Sequence, residues 1–370
     1  MKWIVNALSV TNLSGRHVVS SQLRSLRLHA GSDVEVVVLH HAGNRDLLEI
    51  CGPGLTFLEC PRLTRHWIGR GLWERTCLKS LLIREKADAL YMTSGFSFPG
   101  SPVPQVVLAM NPWCFVPEAW NGLRDQFKAA LQRRAYRQTV ATADAVVYLS
   151  AYLCEAYHDH AGQKARHYSV VYTPLSDDVW AAVKIPVERM ARRILCVSAM
   201  APHKGLETLV DAVALLIESG NEVSLTLVGG WPNGHYRQAI GMRIKARGLA
   251  TRVRITGSLS REDLLDEYRA ARVFALFSNC ESFGIPGLEA QAFGTPVVCS
   301  QAGAMPEVYG KGALTVPVGD AIAAAGALRR VLDDNASWQR LSDEARLNAT
   351  RFQELELGPA IVRALSAVDH

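Results

Sequence analysis

The sequence lacks several features that would assign it to a familiar class. No apolar stretch approaches the roughly 18 uninterrupted residues of a transmembrane helix, so any membrane contact is expected to be peripheral. Its eight cysteines form no C-x-x-C pair and no His/Cys cluster at metal-ligand spacing. We therefore interpret them as buried thiols in a reducing cytosol, and we predict a cytoplasmic protein. No Gly-x-Gly-x-x-Gly follows a candidate strand, which argues against a nicotinamide or flavin oxidoreductase.

Acidic metal-binding patterns are also missing. The sequence has no Asp-x-Asp, Asp177-Asp178 falls in a candidate linker, and Asp333-Asp334 ends a candidate helix. We expect no obligate divalent metal and no cofactor. A recognisable nucleic-acid-reading module is absent as well, so nucleic acid is not an expected partner. The short apolar run 3–8 is predicted to be a first strand rather than a signal peptide.

The 370 residues exceed what one hydrophobic core usually organises, so we expect two domains. Short β-branched runs alternate with segments of helical period, which indicates parallel sheets with helices on both faces. The predicted fold class is α/β, with two Rossmann-like domains that face a central cleft. The predicted strands are 3–8, 34–40, 55–58, 89–92, 106–110, 145–149, 169–172, 194–199, 223–229, 253–256, 273–277, 295–300 and 314–316. The predicted helices include 17–30, 205–219, 235–248, 260–272, 285–293 and 320–333.

The domain boundaries follow from one irregular segment. Residues 173–188 contain two prolines and an Asp pair with little periodicity, which favours a linker. We predict an acceptor-binding domain over 1–175 and a donor-binding domain over 188–351. A C-terminal helix over about 352–370 is expected to pack back on the first domain.

One stretch combines a candidate helix start with flanking acids. In Cys280-Glu-Ser-Phe-Gly-Ile-Pro-Gly-Leu-Glu-Ala290 the proline suits the first turn of a helix. We expect unpaired backbone N–H groups at Gly284, Ile285 and Gly287, which together would form an anion site.

The two acids of this stretch, Glu281 and Glu289, cannot themselves hold phosphates. A carboxylate can accept hydrogen bonds from neighbouring hydroxyls, so a sugar and a ribose on either side of a diphosphate would suit the pair. Each acid taken alone is equally consistent with a solvated side chain. The pair with this spacer resembles the Glu-x7-Glu motif of retaining glycosyltransferases of the GT-B fold, in particular glycosyltransferase family 4 (glycosyl transferases group 1).

The resemblance continues through Ala292-Phe-Gly-Thr-Pro-Val-Val298 and Gly303-Ala-Met-Pro-Glu307. It implies transfer of a hexose-type sugar from a nucleotide-diphosphate donor, with retention of the anomeric configuration, to a glycan or lipid-linked acceptor. It also implies a role in cell-surface polysaccharide or glycolipid assembly. Within the motif it implies that Glu281 is catalytic and that the donor is bound at Glu289, Ser282, Phe283, Gly284 and Ile285.

A second match is the loop Leu195-Cys-Val-Ser-Ala-Met-Ala-Pro-His-Lys-Gly205. By the resemblance, Lys204 neutralises diphosphate charge and stabilises the leaving group. The family loop usually reads Gly-Arg-Leu where this chain has Ser198-Ala199-Met200, so the usual arginine is missing. Either Lys204 acts alone or His203 assists. Ser198, Gly229 and Gly257 stand at strand ends where the resemblance implies donor contacts.

In the first domain the resemblance implicates two loops. The family's Gly-Gly loop after the first strand is reduced here to Gly15, in Asn12-Leu-Ser-Gly-Arg16. Asn111, after the strand 106–110, stands where the family often has His. An Asn can orient a sugar hydroxyl but cannot serve as a base. Non-catalytic and epimerase-type sugar-nucleotide-binding proteins of the same architecture remain alternatives.

Basic charge is concentrated in the first domain. Residues 62–86 contain seven Arg/Lys and two acids, interleaved with Trp67, Ile68, Leu72 and Trp73, and residues 120–137 contain five basic residues and one acid. Phe127, Leu131 and Tyr136 recur in the second stretch at helical intervals. Basic and aromatic residues on an amphipathic helix suit an anionic bilayer, so we predict peripheral contact with the inner face of the membrane. An ordinary solvated helix face over core aromatics is the alternative.

Overall fold

The computed structural model describes residues 1–11, 13–120, 122–185 and 189–367. It divides into two compact units. The first comprises Met1–Phe115, Asn121–Pro174 and Gln353–His370, and the second comprises Val116–Trp120 and Leu175–Phe352.

Each unit is built on one parallel sheet. In the first unit the strands are β1 (Lys2–Asn6), β2 (Glu35–His40), β3 (Thr56–Glu59), β4 (Ala89–Met92), β5 (Gln105–Ala109), β6 (Ala145–Tyr148) and β7 (His167–Val170). In the second they are β8 (Arg193–Val197), β9 (Ser224–Val228), β10 (Val253–Gly257), β11 (Val273–Leu276), β12 (Val297–Ser300) and β13 (Ala313–Val316). The first sheet has the order β3-β2-β1-β4-β5-β6-β7, and the second has the order β10-β9-β8-β11-β12-β13.

The helices cover the faces of these sheets. In chain order the α-helices are α1 (Leu13–His29), α2 (Leu47–Cys51), α3 (Trp67–Trp73), α4 (Lys79–Arg84), α5 (Leu123–Thr142), α6 (Ala151–Ala161), α7 (Asp177–Ala182), α8 (Leu206–Glu218), α9 (Gly234–Ala246), α10 (Arg261–Ala270), α11 (Ile285–Ala292), α12 (Met305–Tyr309), α13 (Ala321–Asp333), α14 (Asn335–Thr350) and α15 (Glu354–Ser366). A π-helical turn, Glu74–Leu78, joins α3 to α4. Within the first unit α15 packs on α1, and within the second α13 packs on α8.

The central strands are buried on both faces, which explains their continuous apolar sequences. Every residue of β4, β5, β6, β11 and β12 is buried. Parallel sheets covered by helices on both sides require such runs, because neither face meets water. Each predicted strand is present to within a few residues, and the predicted fold class of two Rossmann-like domains is confirmed.

Two local predictions were wrong. The predicted linker 173–188 contains a helix, α7, and residues 186–188 lie outside the described part. Trp73 and Tyr136, grouped with the membrane-facing residues from the sequence, are only 8% and 2% exposed, and Tyr136 stacks on Phe96. The helical spacing of aromatics in α5 does not distinguish its inward face from its outward face.

The strand order reverses once in each sheet, between β1 and β4 and between β8 and β11. The helices that follow two such neighbouring strands cover opposite faces of the sheet, which leaves a crevice outside their carboxyl ends. In the second unit this reversal brings together the loops after β8 and β11.

Candidate functional site

Lys204 and Glu281 meet at the carboxyl ends of β8 and β11. The Nζ of Lys204 lies 2.5 Å from Oε1 of Glu281, and both side chains are at most 15% exposed. The hydroxyl of Ser278 donates to the same carboxylate oxygen at 3.2 Å. The structure therefore places the two predicted catalytic residues in direct contact.

Backbone contacts hold the Lys204 loop against the end of β11. The amide of Asn279 donates to the carbonyl of His203 at 2.8 Å. Gly205 adopts φ +64°, and a Cβ at this position would lie 2.0 Å from the carbonyl oxygen of Phe277. A glycine is needed here because both the left-handed backbone and the close approach exclude a side chain. The local fold thus determines where Lys204 lies.

Burial sets the protonation of His203 next to this pair. Desolvation, aided by the positive charge of Lys204, lowers the pKa of His203 to about 4. The imidazole is therefore neutral at neutral pH and adds no charge to the site. Of the two alternatives that the sequence left open, assistance from a cationic His203 is disfavoured.

Helix α11 begins after Gly284, which adopts φ +90°. The prediction of an unpaired amide at Gly287 was wrong, because this amide donates to the carbonyl of Gly284 at 3.1 Å. Anion binding at this helix start stays a prediction. Among the residues that the structure describes, the amides of Gly284 and Ile285 have no such acceptor. The hydroxyl of Tyr309 donates to the Gly284 carbonyl at 2.7 Å and fixes the start of the helix.

Glu289 lies one turn into α11 and is bound to a residue that the sequence did not reveal. Oε1 of Glu289 lies 2.8 Å from Nη1 of Arg261, and the Glu289 side chain is 6% exposed. Burial raises the pKa of Glu289, while the charge of Arg261 and the hydroxyl of Tyr268 oppose that shift. In this structure Glu289 is therefore a buried carboxylate whose counter-ion is Arg261.

Arg261 in turn connects Glu289 to helix α7. Its Nε lies 2.6 Å from Oδ2 of Asp178, and its Nη2 donates to Ser176 at 3.2 Å. Burial raises the pKa of Asp178, but hydrogen bonds from Arg261 and Ser176 outweigh it and lower the pKa to about 2. The only sequence signal near Arg261 is Ser260, a residue type that suits a helix N-cap; its side chain caps α10 by accepting from the amide of Asp263.

The remaining predicted donor residues of this unit lie along the same edge of the sheet. Gly229 has φ +143°, and a Cβ there would lie 1.8 Å from the carbonyl oxygen of Ser198. The amide of Gly229 donates to the carbonyl of Gly257 at 2.8 Å. Ser282 is half-buried, whereas Phe283 is 2% exposed and packs edge-on against Phe352. The ring of Phe283 belongs to the core, so only its backbone is available to a ligand.

Gly15 and Asn111 belong to the first unit. Gly15 is half-buried and lies in the first turn of α1. Asn111 is exposed after β5, and its Oδ1 accepts from the amide of Trp113 at 3.0 Å. Their roles in binding stay predictions.

Neither metal ligands nor a membrane span stand out in the described ranges. No three His, Cys, Asp or Glu side chains in those ranges are grouped to hold a metal ion. Over the same ranges no helix is both long and apolar enough to cross a bilayer.

The fold of the whole chain matches solved glycosyltransferase structures. Sucrose-phosphate synthase from Thermosynechococcus elongatus superposes with a TM-score of 0.76 at 20% identity, covering 98% of each chain. Anabaena Alr3699/HepE in complex with UDP and glucose superposes with a TM-score of 0.76 at 18% identity, covering 99% of this chain and 100% of that one. The chain therefore has the GT-B fold.

Sequence comparison identifies the second unit more closely. Residues 182–348 match the family described as glycosyl transferases group 1. D-inositol 3-phosphate glycosyltransferase of Corynebacterium efficiens is 33% identical over 189 residues, which are 49% of this chain and 45% of that protein. MMP alpha-(1->4)-mannosyltransferase of Mycolicibacterium hassiacum is 36% identical over 166 residues, covering 44% and 39%. Each match thus spans less than half of the relative's length.

Proposed function

We propose that this protein is a retaining glycosyltransferase of family 4 that moves a hexose-type sugar from a nucleotide-diphosphate donor to a glycan or lipid-linked acceptor. The observation that carries the proposal is the pairing of Lys204 with Glu281 where the strand order reverses in the second sheet. The match of residues 182–348 to glycosyl transferases group 1 supports it. So does the fold shared with Alr3699/HepE, which was solved with UDP and glucose.

The chemistry proposed for this pair is electrostatic. As the bond between the sugar and the diphosphate breaks, negative charge grows on the leaving oxygen, and Lys204 with the amides of Gly284 and Ile285 would stabilise it. Glu281 would bind sugar hydroxyls and offset positive charge on the ring. The acceptor hydroxyl forms the new bond, and its proton leaves with the departing phosphate, so no enzymic base is required.

Donor binding and catalysis can be tested separately. Thermal-shift measurements with UDP, GDP, ADP and their sugar conjugates should identify one base that raises the melting temperature. Lys204→Gln should then lower kcat by about 10²- to 10³-fold, the usual effect of removing one preorganised charge donor. Lys245→Gln, an exposed lysine on α9, is the matched control. Undiminished transfer by Lys204→Gln would refute the site assignment.

Retention and metal independence need their own measurements. Proton NMR of the first product formed should reveal the same anomeric configuration as the donor. Activity in excess EDTA should equal activity with added magnesium if diphosphate charge is met by Lys204 and backbone amides. An inverted product, or activity that EDTA abolishes, would contradict the respective part of the proposal. Turnover of the donor sugar without acceptor would instead favour the epimerase alternative.

We further propose that the first unit touches an anionic membrane, with assembly of a cell-surface polysaccharide or glycolipid as its setting. Three apolar side chains spaced by four residues on α5 are exposed: Leu123 by 82%, Phe127 by 69% and Leu131 by 55%. This spacing places them on one face of the helix. Trp67 and Ile68 on α3 are exposed as well, within the basic segment 62–86.

Cosedimentation with anionic and neutral vesicles at low and moderate salt would test this contact. The double variant Phe127→Ser/Leu131→Ser should weaken binding to anionic vesicles. Leu347→Ser, an equally exposed leucine on α14, should leave binding unchanged. Failure of the unmodified protein to bind anionic vesicles at low salt would end this proposal.

A further inference from the structure

A cluster of hydrogen-bond donors lies at the carboxyl edge of the first sheet, around His41. This residue directly follows β2 and is 1% exposed. Its Nδ1 accepts a hydrogen bond of 2.9 Å from the amide of Gly43. A neutral imidazole carries its proton on the other nitrogen in that case, so Nε2 is a donor. That Nε2 is buried and has no partner among the described residues. A buried donor without an acceptor is costly and calls for an explanation.

Two arginines lie beside this imidazole. A Cβ at Gly43 would lie 3.0 Å from Cε1 of His41 and 3.3 Å from Nε of Arg65, so both side chains pack against the same glycine. Arg65 is exposed and makes no ion pair within 4 Å in the described part of the chain. Arg70 is half-buried and donates to the carbonyl of Leu8 at 3.2 Å, just after β1. The charges of both arginines lower the pKa of His41, after burial as the main cause.

The neighbouring charges leave this cluster positive. Glu74 lies beside Arg70 and accepts a hydrogen bond of 2.8 Å from Asn6. Its carboxylate offsets one of the two guanidinium charges. Burial raises the pKa of Glu74, which works against that compensation at lower pH. Arg16, whose guanidinium donates to the Gly43 carbonyl, is paired with Asp46 at 2.6 Å, so this neighbouring pair adds no net charge.

We propose that His41, Arg65 and Arg70 bind a phosphate group carried by the acceptor. Phosphate oxygens accept several hydrogen bonds at once, and guanidinium groups match their geometry. The cluster supplies donors from the residue after β2, from the segment before α3 and from α3 itself. Among the described residues, Nε2 of His41 and the guanidinium of Arg65 have no acceptor. This inference rests on the proposed glycosyltransferase function, because it names the acceptor class for that reaction.

The test measures phosphate binding without donor or turnover. Inorganic phosphate is titrated into protein labelled with ¹⁵N-histidine, and the Nε2–H signal of His41 is followed by NMR, assigned by its loss in His41→Asn. We expect this signal to shift downfield, because the proton gains an acceptor. Arg65→Gln should raise the apparent Kd at least about tenfold, the effect of losing one hydrogen bond to a charged group. Arg75→Gln, an exposed arginine of the adjoining π-helical turn, should change it less than about twofold.

Competition then distinguishes the sources of the phosphate. Glucose 6-phosphate against glucose tests a soluble phosphosugar. Phosphatidylcholine vesicles with added phosphatidic acid, whose phosphate is terminal, against the same vesicles without it test a lipid phosphate. Displacement of inorganic phosphate by either phosphorylated ligand supports the acceptor assignment, and displacement by neither overturns it. The proposal also fails if the His41 signal does not move, or if Arg65→Gln and Arg75→Gln weaken binding equally. Loss of transfer activity in Lys204→Gln bears on the donor site alone, so the two proposals can fail independently.

Discussion

Replacing Arg261 by Gln would leave the carboxylate of Glu289 buried without its counter-ion. The pair is close, at 2.8 Å, and the Glu289 side chain is 6% exposed. Removing one partner of a buried ion pair costs about 3–5 kcal/mol, because the remaining charge stays desolvated. Arg261 itself is 39% exposed and its second partner Asp178 is 43% exposed, so solvent screening reduces the total. We expect Arg261→Gln to lower the free energy of unfolding by about 2–4 kcal/mol.

The pH dependence of this loss identifies its cause. Burial already holds the pKa of Glu289 above the ordinary value of a glutamate, and without Arg261 it must rise further. A carboxyl group with a raised folded-state pKa binds more protons in the folded state than in the unfolded state between the two pKa values. Stability therefore falls as pH rises through that window, by up to about 1.4 kcal/mol per pH unit for one group. The deficit of Arg261→Gln should be smaller at pH 5 than at pH 8.

Urea unfolding of the single and double variants would measure the coupling directly. Glu289→Gln in the Arg261→Gln background removes the stranded charge, so the double variant should be more stable than Arg261→Gln alone at pH 8. Arg192→Gln provides the matched control, because its pair with Asp333 is 45% and 41% exposed and should contribute less than about 1 kcal/mol. Equal losses in Arg261→Gln and Arg192→Gln, or a deficit that does not vary with pH, would refute this reasoning.

Three further outcomes follow from single contacts. Asp178→Asn should cost about 1 kcal/mol at neutral pH, after allowance for exposure. The native Asp178 stabilises the fold above its unfolded pKa of 3.8, and this stabilisation is lost as the pH falls towards its folded pKa of about 2. Urea unfolding of both proteins at a series of acidic pH values would measure the loss. Gly205→Ala should destabilise by more than about 2 kcal/mol in thermal unfolding because its Cβ would meet the Phe277 carbonyl, whereas Gly248→Ala, with φ +69° and open space, should cost about 1 kcal/mol. Cys77 is exposed while the other cysteines are buried, so native protein should present one fast-reacting thiol to a thiol reagent, and Cys77→Ser should abolish it.

The strands could be predicted because the signal for each one lies within a few consecutive residues. A strand buried on both faces must be apolar at every position, and short runs such as 273–277 and 295–300 have no other common explanation at that length. The start of α10 at Ser260 was predictable for the same reason, since a capping hydroxyl bonds to an amide three residues away. Helix α7 was missed because its six residues are too few for a periodic pattern, and its Asp pair is typical of a turn.

Only the candidate site residues that lie in a recognisable motif could be predicted from the sequence. The contact of Lys204 with Glu281 joins residues 77 positions apart. The resemblance assigned both residues to one donor site, but no signal in the sequence predicted that their side chains meet. Arg261 could not have been identified in this way. Its side chain reaches Glu289 and Asp178 only because α10, α11 and α7 pack together, and sequence alone does not determine which of many arginines does so.

The charges around the Lys204–Glu281 pair explain why the arginine missing at position 199 matters for phosphate binding. Lys204 is already neutralised by Glu281, and Arg261 is shared between Asp178 and Glu289, so these five groups carry a net charge of −1. A diphosphate entering this site would find little positive charge besides Lys204 and the helix amides. The loop that carries an arginine in the family has Ala199 here, and Ala199 is exposed just after β8.

Restoring that arginine should therefore strengthen nucleotide binding. We expect Ala199→Arg to tighten binding of the preferred nucleoside diphosphate about tenfold, the effect of one added charge-assisted hydrogen bond. Isothermal titration calorimetry would measure it, with Ala250→Arg as the control. That alanine is exposed ahead of β10, at the amino edge of the sheet, and adds the same charge at the opposite end of the strands. If both variants tighten binding equally, only net charge is at work and the proposed position of the phosphates is wrong. If Ala199→Arg alone does so, the diphosphate lies at the carboxyl ends of β8 and β11, because the charge acts over the short distance of a hydrogen bond.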